Sequence, residues 1–210
     1  EEDLEVSGFA DDLTNEKGDI IIDFSHFSRI PNMLNFAVNN NIPIVICTTG
    51  YDDKILSQIK EASSKIPILL SSNTSIGINL MNDLVSKMAE NLNGFDIEII
   101  ETHHNKKVDS PSGTAKTLFN AINQTLENKM NLINGREGNH KRDKNEIGIH
   151  SIRGGSVVGE HRVIFYGDDE AIEIKHSAMS KKIFVHGAIK AAKFLIGKKP
   201  NLYGMKDVLS

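Results

Sequence analysis

The sequence predicts an α/β protein in which a doubly wound parallel sheet is joined to an α+β unit with a mixed open sheet. Up to residue 93, short apolar segments alternate with segments of helical periodicity, which is the order of a parallel sheet with crossover helices. After residue 146, three strand-like segments follow one another with only short turns between them. Such turns cannot hold a crossover connection, so they favour antiparallel pairing.

The composition is that of an ordinary globular protein. The 210 residues are enough for one large or two small domains, and 39% of them are hydrophobic and 25% charged. A net charge of −4 gives no reason to expect nucleic acid or an anionic membrane as a partner. No apolar run approaches the length of a membrane span. The single cysteine, Cys47, excludes a disulfide within the chain and fits a reducing cytoplasm.

Three strands are predicted in the first part of the chain. Each is a short, almost continuous apolar run that ends in polar residues, as strands of a parallel sheet do. They are residues 19–24, 42–47 and 66–70, and the first is expected to be buried on both faces. Residues 1–18 are acidic and weakly patterned, which is typical of a loop with one short helix.

Three helices are predicted to follow these strands. Residues 28–40 have Pro31 near their start, Asp52 or Asp53 caps the second helix, and the third runs over residues 76–92 and stops at Gly94. Apolar residues at helical spacing define the inward face of each helix. These positions are Ile30, Leu34, Ala37 and Val38, then Ile55, Leu56, Ile59 and Ala62, then Leu80, Leu84, Val85, Met88 and Leu92.

The second half of the chain changes character. Its predicted elements are a strand from residue 97, a helix at 112–127, strands at 147–153, 157–166 and 171–177, and a helix at 183–196. The charged loop at residues 134–146 is expected to be mobile, with its basic side chains in solvent. The packing positions of the last helix and the tail are Ala188, Ala191, Ala192, Leu195, Leu202, Tyr203 and Met205.

Small or hydrogen-bonding residues follow each of the first three strands. They are Asp23-Phe24-Ser25, Thr48-Thr49-Gly50 and Ser71-Ser72-Asn73. In a doubly wound sheet, ligands bind outside the carboxyl ends of the strands, so we expect these segments to line one crevice suited to a dinucleotide. Ordinary polar loops would account for the same residues.

A dinucleotide fold normally opens with a strand, a glycine-rich turn and a helix. Neither G-x-G-x-x-G nor G-x-x-G-x-x-G occurs in this sequence. We therefore expect the doubly wound unit to be N-terminally incomplete. The native protein is expected to continue upstream of Glu1 with a first strand, the phosphate-binding turn, a first helix and a second strand.

The most informative stretch is residues 97–118. Alternating residues predict a strand that ends in His103 and His104, and Pro-Ser-Gly-Thr then opens a helix after Lys106 and Lys107. Imidazole moves protons near neutral pH, lysine supplies positive charge, and a helix N-terminus binds anions. Together they suit proton transfer on a small carboxylated substrate. A zinc site is disfavoured because adjacent strand residues point to opposite sides, whereas structural histidines and a solvated Lys106 remain open alternatives.

Ten positions of this stretch match one family motif, Glu-x-His-His-x-x-Lys-x-Asp-x-Pro-Ser-Gly-Thr-Ala. The matching residues are Glu101, His103, His104, Lys107, Asp109, Pro111, Ser112, Gly113, Thr114 and Ala115. The chain thereby resembles the 4-hydroxy-tetrahydrodipicolinate reductase (dihydrodipicolinate reductase) family. The resemblance implies reduction of 4-hydroxy-tetrahydrodipicolinate, a dicarboxylate, by NADH or NADPH with loss of water, in the diaminopimelate route to lysine.

The resemblance also implies an architecture. Residues 1–74 and 181–210 would form a Rossmann-like dinucleotide-binding domain, and residues 75–180 a substrate-binding and tetramerisation domain. The protein would be a cytoplasmic homotetramer, without nucleic acid, membrane or metal as a partner. Two later segments, residues 149–155 and 158–161, resemble further family motifs, and His161 would either support the site or serve packing.

The resemblance assigns roles residue by residue. His103 would be the catalytic acid/base and Lys107 the proton donor, with His104, Ser112, Gly113 and Thr114 at the substrate. The cofactor contacts would be Phe24, Cys47, Thr48, Thr49, Ser71, Ser72, Asn73 and Thr74. Two positions depart from the family pattern: Cys47 replaces the first glycine of a Gly-Thr-Thr-Gly turn, and Thr74 replaces a phenylalanine found in many members.

Two other functions are compatible with parts of the sequence. The missing glycine-rich turn favours a non-catalytic binding domain that has lost its cofactor half. The predicted fold alone would also suit another two-domain dehydrogenase with a different substrate. The run from Glu101 to Ala115 argues against this last alternative.

Overall fold

A computed structural model describes residues 18–210 together with residues 5, 6 and 8. These residues divide into two compact units, each with its own sheet. One comprises the described residues up to Thr74 and Phe184–Ser210, and the other is Ser75–Ile183. The short helix predicted within residues 1–18 falls outside the described residues. None of the helices formed by the described residues has the length and apolar character needed to cross a membrane.

The elements follow one another in a regular order. They are β1 (Ile21–Asp23), a 3-10 turn (Phe27–Arg29), α1 (Ile30–Asn39), β2 (Ile44–Ile46), α2 (Asp53–Ser63), β3 (Pro67–Leu70), α3 (Ile76–Asn91), β4 (Asp96–His103), α4 (Gly113–Thr125), β5 (Asn131–Asn134), β6 (Glu146–Arg153), β7 (Gly159–Tyr166), β8 (Ala171–Ala178), α5 (Lys182–Leu195), β9 (Asn201–Tyr203) and α6 (Met205–Leu209).

The first unit is built on a parallel sheet in the order β1-β2-β3-β9. All three residues of β2 are buried, and Ile44 and Ile46 pack in one cluster with residues of α1 and α2. The prediction that the first strand is buried on both faces is wrong, since β1 lies at the end of this order and Ile22 is 37% exposed. The short β9 was not predicted, although its Leu202 pairs with Ile68 of β3.

The core of the first unit follows the predicted helix faces. Asp52 is the N-cap of α2, and its Oδ1 accepts a hydrogen bond from the Ile55 amide at 2.9 Å, which satisfies an otherwise unpaired helix donor. The helices bury their apolar stripes with β2 and β3 in a cluster of Ile30, Met33, Leu34, Ala37, Ile44, Ile46, Ile59, Ala62, Ile66 and Ile68.

The end of the chain closes the first unit. Ala188, Ala191, Ala192 and Leu195 of α5 are buried, as predicted. At Gly187 a Cβ would lie 1.7 Å from the carbonyl oxygen of Thr74, so only glycine allows this close approach.

The second unit is built on a mixed sheet in the order β5-β6-β4-β7-β8. Strand β4 pairs in parallel with β6 and antiparallel with β7, and β7 pairs antiparallel with β8. The predicted direct pairing of the strands at 147–153 and 157–166 is wrong, because β4 lies between them. The five residues 154–158 that join them can reach about 17 Å, enough to pass two strand spacings of about 4.8 Å.

Helices α3 and α4 cover one face of this sheet. The shared core comprises Met81, Val85, Ala89, Ile97, Ile99, Ala115, Leu118, Phe119, Ile122, Ile147, Ile149, Val163 and Phe165. Two predicted inward positions of α3 are wrong, since Leu80 and Leu84 are 51% and 39% exposed. The buried residues are instead Ile78, Met81, Val85 and Ala89, which recur at intervals of three and four residues. Residues at this spacing share one face of a helix, and this face lies next to the predicted one.

The prediction that the basic side chains of residues 134–146 lie in solvent is wrong for Arg142, which is half-buried, whereas Arg136 is exposed but paired. Arg136 forms ion pairs with Glu98 and Glu146, and Arg142 pairs with Asp96 at 2.6 Å and with Glu98 at 3.3 Å. These contacts hold the loop against the sheet. We call Glu98 and its partners Arg136, Arg142 and His150 the Glu98 cluster.

Candidate active site

The end of β4 and the start of α4 bring the predicted acid/base groups together. Inward and outward residues alternate along β4, so that Ile97, Ile99, Glu101 and His103 are buried on the face under the helices. The charged Glu101 and the polar His103 continue the stripe that the two isoleucines begin. A buried charge needs partners, and the surroundings of Glu101 supply them.

Glu101 is fully buried, and both of its oxygens are used. Oε2 lies 2.5 Å from His103 Nδ1 and accepts from Arg153 Nη1 at 2.8 Å. Oε1 accepts from Arg153 Nη2 at 2.7 Å and from the Ser112 amide at 3.2 Å. One carboxylate thus joins the end of β4, the end of β6 and the residue before α4. We call Glu101, His103, Arg153 and Ser112 the Glu101 cluster.

The Glu101 carboxylate is ionised at neutral pH. Burial alone would raise its pKa, but the hydrogen bonds from Arg153, Ser151 and His103 outweigh burial and lower the pKa to about 2. A negative Glu101 can only accept hydrogen bonds. The bond to His103 is therefore donated by Nδ1, and Nε2 of His103 remains available for another group.

Space is kept beside the free nitrogen of His103. A Cβ on Gly159 would lie 3.0 Å from His103 Nε2, so a larger residue there would crowd the ring. His103 itself is only 8% exposed. A nearly buried imidazole with one nitrogen anchored and the other facing room suits proton transfer.

His161 supports the start of α4 from the neighbouring strand. Its Nε2 lies 3.0 Å from Ser112 Oγ, and Ser112 Oγ in turn accepts from the Ala115 amide at 3.2 Å as the helix N-cap. Burial, together with the nearby His103, lowers the pKa of His161 to about 4. A neutral His161 can share a hydrogen bond with a hydroxyl group, so this structure favours the supporting role that the sequence left open.

Lys107 lies in the loop between β4 and α4. Its Nζ is 2.7 Å from Asp109 Oδ1, and this hydrogen bond holds the pKa of Asp109 below its ordinary value. The carbonyl oxygen of Asp109 accepts from Arg153 Nη2 at 2.8 Å. The loop that carries Lys107 is thus fastened to the Glu101 cluster. Lys106 is exposed, as predicted for a surface lysine.

The other residues predicted to bind substrate lie at the same end of β4. His104 is half-buried, and its Nδ1 has no hydrogen-bond partner among the described residues. Gly113 opens α4 and is exposed, with nothing within 4 Å of the position that a Cβ would take. Thr114 follows it and is half-buried. The first amides of a helix lack carbonyl partners within it, so this open start can receive an anion.

The predicted cofactor residues lie in the first unit. Because β1, β2 and β3 run in parallel as neighbours, the segments that follow them lie along one edge of the sheet. That they line a crevice for a dinucleotide stays a prediction. Phe24 is 56% exposed, and Thr49 and Ser72 are exposed beside Ser71 and Asn73. An exposed aromatic ring and exposed hydroxyl groups at a strand edge fit the nicotinamide end of a dinucleotide.

Three other predicted cofactor residues face inward. Thr48 Oγ1 donates to the carbonyl oxygen of Ser25 at 2.9 Å, and Thr74 Oγ1 donates to that of Phe184 at 2.7 Å. Burial raises the pKa of the Cys47 thiol to about 12, so the thiol stays protonated and unreactive. Within the described part of the chain, no group of three or more His, Cys, Asp or Glu side chains is arranged to hold a metal ion.

Two functional partners were not identified from the sequence. Arg153 was noticed only as part of a later motif, and Glu101 only as a matching motif position. The available signal was the inward stripe of β4, which places a carboxylate in a buried position that requires a cation. The strand order was needed to place Arg153 beside it.

Two family descriptions match the chain. "Dihydrodipicolinate reductase, N-terminus" matches residues 1–74, and "Dihydrodipicolinate reductase, C-terminus" matches residues 77–209. The Glu101 cluster and the loop with Lys107 lie in the second match.

Individual relatives agree with these matches. A 4-hydroxy-tetrahydrodipicolinate reductase of Brachyspira hyodysenteriae is 70% identical over 210 residues, which are 100% of this chain and 91% of the relative. One from Caldanaerobacter subterraneus subsp. tengcongensis is 52% identical over 92% of this chain and 78% of its own length. A solved, dipicolinate-bound dihydrodipicolinate reductase from Paenisporosarcina sp. TG-14 superposes with a TM-score of 0.74 at 25% identity, over 90% of this chain and 73% of that one.

Proposed function

The chain belongs to the dihydrodipicolinate reductase family, and on that premise we propose that it reduces 4-hydroxy-tetrahydrodipicolinate to tetrahydrodipicolinate with NADH or NADPH and loss of water. It is an oxidoreductase of the diaminopimelate route to lysine. Family matches over both halves of the chain, and the reductase names of the two relatives described above, favour this function over a non-catalytic domain.

One observation carries the proposal. The motif from Glu101 to Ala115 folds around one carboxylate, since His103 Nδ1 and the Ser112 amide contact the two oxygens of Glu101 at 2.5 and 3.2 Å. An acid/base group and an anion-binding helix start are therefore held side by side. This is the pair of features that reduction of a cyclic dicarboxylate requires from the protein.

His103 and Lys107 supply the proton chemistry in this proposal. A bound reduced nicotinamide would supply the hydride, and the protein has to orient the substrate and protonate it. Nε2 of His103 holds or releases a proton, because Nδ1 is engaged by Glu101. Lys107 donates a proton, and its positive charge also attracts a carboxylate. Its contact with Asp109 keeps Nζ near the end of β4 until substrate arrives.

The start of α4 binds a substrate carboxylate. The amides of Gly113 and Thr114, the first two residues of the helix, would donate to the carboxylate with His104 beside them. A helix N-terminus contributes about 0.3–1 kcal/mol toward an anion, and each hydrogen bond with a charged partner about 1.5–3 kcal/mol. Two such bonds are enough to orient the ring. Ser112 serves the same site by capping the helix.

The edge formed after β1, β2 and β3 is the proposed site of the nicotinamide. Phe24, Thr49 and Ser72 would contact it through exposed side chains, with the half-buried Asn73 beside them, and buried Thr48 and Thr74 would shape the backbone there. The same edge would serve NADH and NADPH, since both carry the same nicotinamide.

A coupled measurement tests the proposed activity. Purified protein with 4-hydroxy-tetrahydrodipicolinate should consume NADH or NADPH, followed by the loss of nicotinamide absorbance. It should also bind pyridine-2,6-dicarboxylate, a planar mimic of the substrate, in a calorimeter. Absence of turnover with both cofactors, despite binding of each cofactor and of the dicarboxylate, would contradict the proposed reaction.

We also propose that the protein is a cytoplasmic homotetramer joined through the second sheet. Ile152 and Tyr166 are 51% and 44% exposed. They pair with Thr102 and Asp96, on the face of β4 opposite to the covered core. Apolar side chains on an open sheet face favour association. Light scattering should give four chains per particle, and replacing Tyr166 by Glu should reduce that number. The single cysteine supports the cytoplasmic location, which cell fractionation would test.

A further inference from the structure

We propose that Glu101, held in place by Arg153, is the positioning residue that fixes which nitrogen of His103 carries the reacting proton and how far that nitrogen lies from the start of α4. This inference rests on the proposed function and adds to it a residue that touches neither substrate nor cofactor. Its basis is the sharing of one buried carboxylate by a histidine, an arginine and a helix start.

Arg153 fixes the orientation of the carboxylate. Its two terminal nitrogens reach the two oxygens of Glu101 at 2.8 and 2.7 Å, the paired geometry in which a guanidinium holds a carboxylate in one plane. Arg153 is in turn held by the carbonyl oxygen of Asp109 at 2.8 Å. Beside this pair, the two oxygens also contact His103 and the Ser112 amide, and Ser151 adds a further hydrogen bond to the carboxylate.

The carboxylate determines the tautomer of His103. A neutral imidazole has one N–H donor and one acceptor nitrogen, and an ionised carboxylate can only accept. Because Glu101 Oε2 lies 2.5 Å from Nδ1, the proton of neutral His103 must sit on Nδ1. Nε2 is then the atom that takes up or releases the proton, beside the space that Gly159 leaves open.

The carboxylate also links His103 to the proposed carboxylate-binding helix. The Ser112 amide bonds to Oε1 of the same group at 3.2 Å, and Ser112 caps α4 directly before Gly113. The proton-carrying atom and the anion-binding amides are therefore placed by one rigid pair. Positional errors of about 1 Å at a reacting group can cost about 10²-fold in rate, so this link should affect turnover and not only stability.

The neighbouring Glu98 offers a matched case within the same strand. It too is held by arginines and contacts a histidine, with His150 Nε2 at 2.8 Å. Its side chain points to the other face of β4, away from His103 and α4. If any contact among an arginine, a glutamate and a histidine in this sheet affected turnover, Glu98 and Glu101 would have similar effects. We expect only Glu101 to affect turnover.

The first test observes the wild-type protein, with one variant used only for assignment. In protein labelled with ¹⁵N in its histidines, long-range proton–nitrogen spectra at alkaline pH report which ring nitrogen carries the proton, and a His103→Ala sample identifies the signals of His103. We expect the proton on Nδ1. A proton on Nε2 would overturn the proposal. This result does not depend on turnover, so it is separable from a failure of the proposed reductase activity.

The second test exchanges the carboxylate for an amide. In Glu101→Gln, the amide oxygen must face the Ser112 amide, which cannot reverse its polarity, so the NH₂ group faces His103 Nδ1. The proton of His103 is then expected to move to Nε2, visible in the same spectra. Glu98→Gln is the control and should leave the His103 signals unchanged. A Glu101→Gln protein with the proton still on Nδ1 would contradict the assignment.

The third test is a double-mutant cycle on turnover. Glu101→Gln should lower kcat about 10²-fold in the wild-type background, by the misplacement argument above, but less than about threefold once His103 is already Ala, because residues that act as a unit are not additive. Equal losses in both backgrounds would overturn the proposal in favour of a purely structural role. If Glu101→Gln does not fold, the tautomer of the wild-type protein still decides.

Discussion

The two faces of strand β4 carry similar groups with different partners. On the inner face, Glu101 accepts from Arg153 and His103, and on the outer face Glu98 accepts from Arg136, Arg142 and His150. In both, burial opposes ionisation and is outweighed by hydrogen bonds, from Arg153 first on the inner face and from His150 and Arg136 on the outer face. The pKa of each carboxylate is lowered as a result.

The clusters differ in what they connect. The Glu101 cluster joins a histidine at a strand end to the start of a helix and is fully buried at its carboxylate. The Glu98 cluster joins the charged loop at 134–146 to the sheet. Gly148 makes room for it, since a Cβ there would lie 2.1 Å from Glu98 Oε2. The same ionic chemistry therefore attaches a loop on one face, and on the other face it surrounds the proposed site of the reaction.

The largest difference in kcat is expected between variants of His103 and His150, the histidines of the two clusters. His103→Ala removes a general acid/base and should lower kcat about 10²- to 10⁴-fold. His150→Ala, the corresponding change in the Glu98 cluster, should leave kcat within about threefold of wild type on that same scale. Steady-state kinetics with both cofactors, alongside thermal unfolding, would measure this. Comparable losses of kcat in the two variants would remove the functional distinction between the faces.

The next effect concerns the helix start that only the inner cluster holds. Gly113→Val fills the open space before α4 and blocks the approach of a carboxylate to the helix amides. Loss of one or two charge-assisted hydrogen bonds, about 1.5–3 kcal/mol each, should weaken binding of pyridine-2,6-dicarboxylate by about 10²-fold or more. The matched control is Asn120→Val, an exposed position further along α4. Calorimetry showing wild-type affinity in Gly113→Val would exclude this helix from the site.

A pH effect is expected on the inner face because of His161. Its folded pKa of about 4 lies below the ordinary value of 6.5, so the unfolded chain binds the proton more readily. The sign follows: stability is unaffected above pH 6.5 and falls as the pH drops from 6.5 toward 4. The free energy of unfolding should fall by up to about 3 kcal/mol over this range.

Urea unfolding of His161→Gln tests whether His161 causes this loss of stability at low pH. Gln can keep a hydrogen bond to Ser112 Oγ but does not titrate. The unfolding free energies of the variant and the wild type should therefore change in parallel above pH 6.5. Below pH 6.5 they should diverge, with the variant losing less stability. Glu101 adds its own loss only at lower pH, as the pH falls from its ordinary 4.5 toward 2. Identical curves throughout would show that His161 is not the titrating group.

The smallest effect is expected on the outer face. Arg142→Ala removes contacts to Asp96 and Glu98, and the remaining partners of Glu98 limit the cost to about 1–2 kcal/mol of unfolding free energy. The activity per folded chain should not change. Lys141→Ala, an exposed neighbour in the same loop, is the control. Light scattering in parallel would show whether assembly is altered, and a lost turnover with intact folding and assembly would give the outer cluster a role in the reaction.

The inner face was more predictable from the sequence than the outer one. The motif residues are local, so the strand, the loop and the capped helix of residues 97–118 could be read in order. The outer cluster depends on residues far apart in sequence, such as Glu98 and Arg142, that meet only through strand order. The sequence favoured a solvated loop because periodicity carries no information about distant ionic partners.

The same limit explains the other differences. Strand β9 has only three residues and becomes a strand by pairing with β3, which no local pattern indicates. Leu80 and Leu84 are apolar and have the right spacing for burial, but both are exposed, because α3 packs on the sheet through its neighbouring face. Arg153 is the last residue of β6, a strand that pairs with β4 and not with the next strand in sequence. The local sequence pattern predicts most helices and strands, whereas the tertiary arrangement determines which residues contact each other.

A crystal structure of the protein with pyridine-2,6-dicarboxylate would show directly whether the start of α4 and His103 form one site. We expect one carboxylate of the ligand within hydrogen-bond distance of the Gly113 and Thr114 amides, with Nε2 of His103 and Nζ of Lys107 beside the ring. The Glu101–Arg153 pair should be unchanged, without contact to the ligand. A ligand bound away from the start of α4, or one that displaces Arg153 from Glu101, would contradict the proposed roles of these residues.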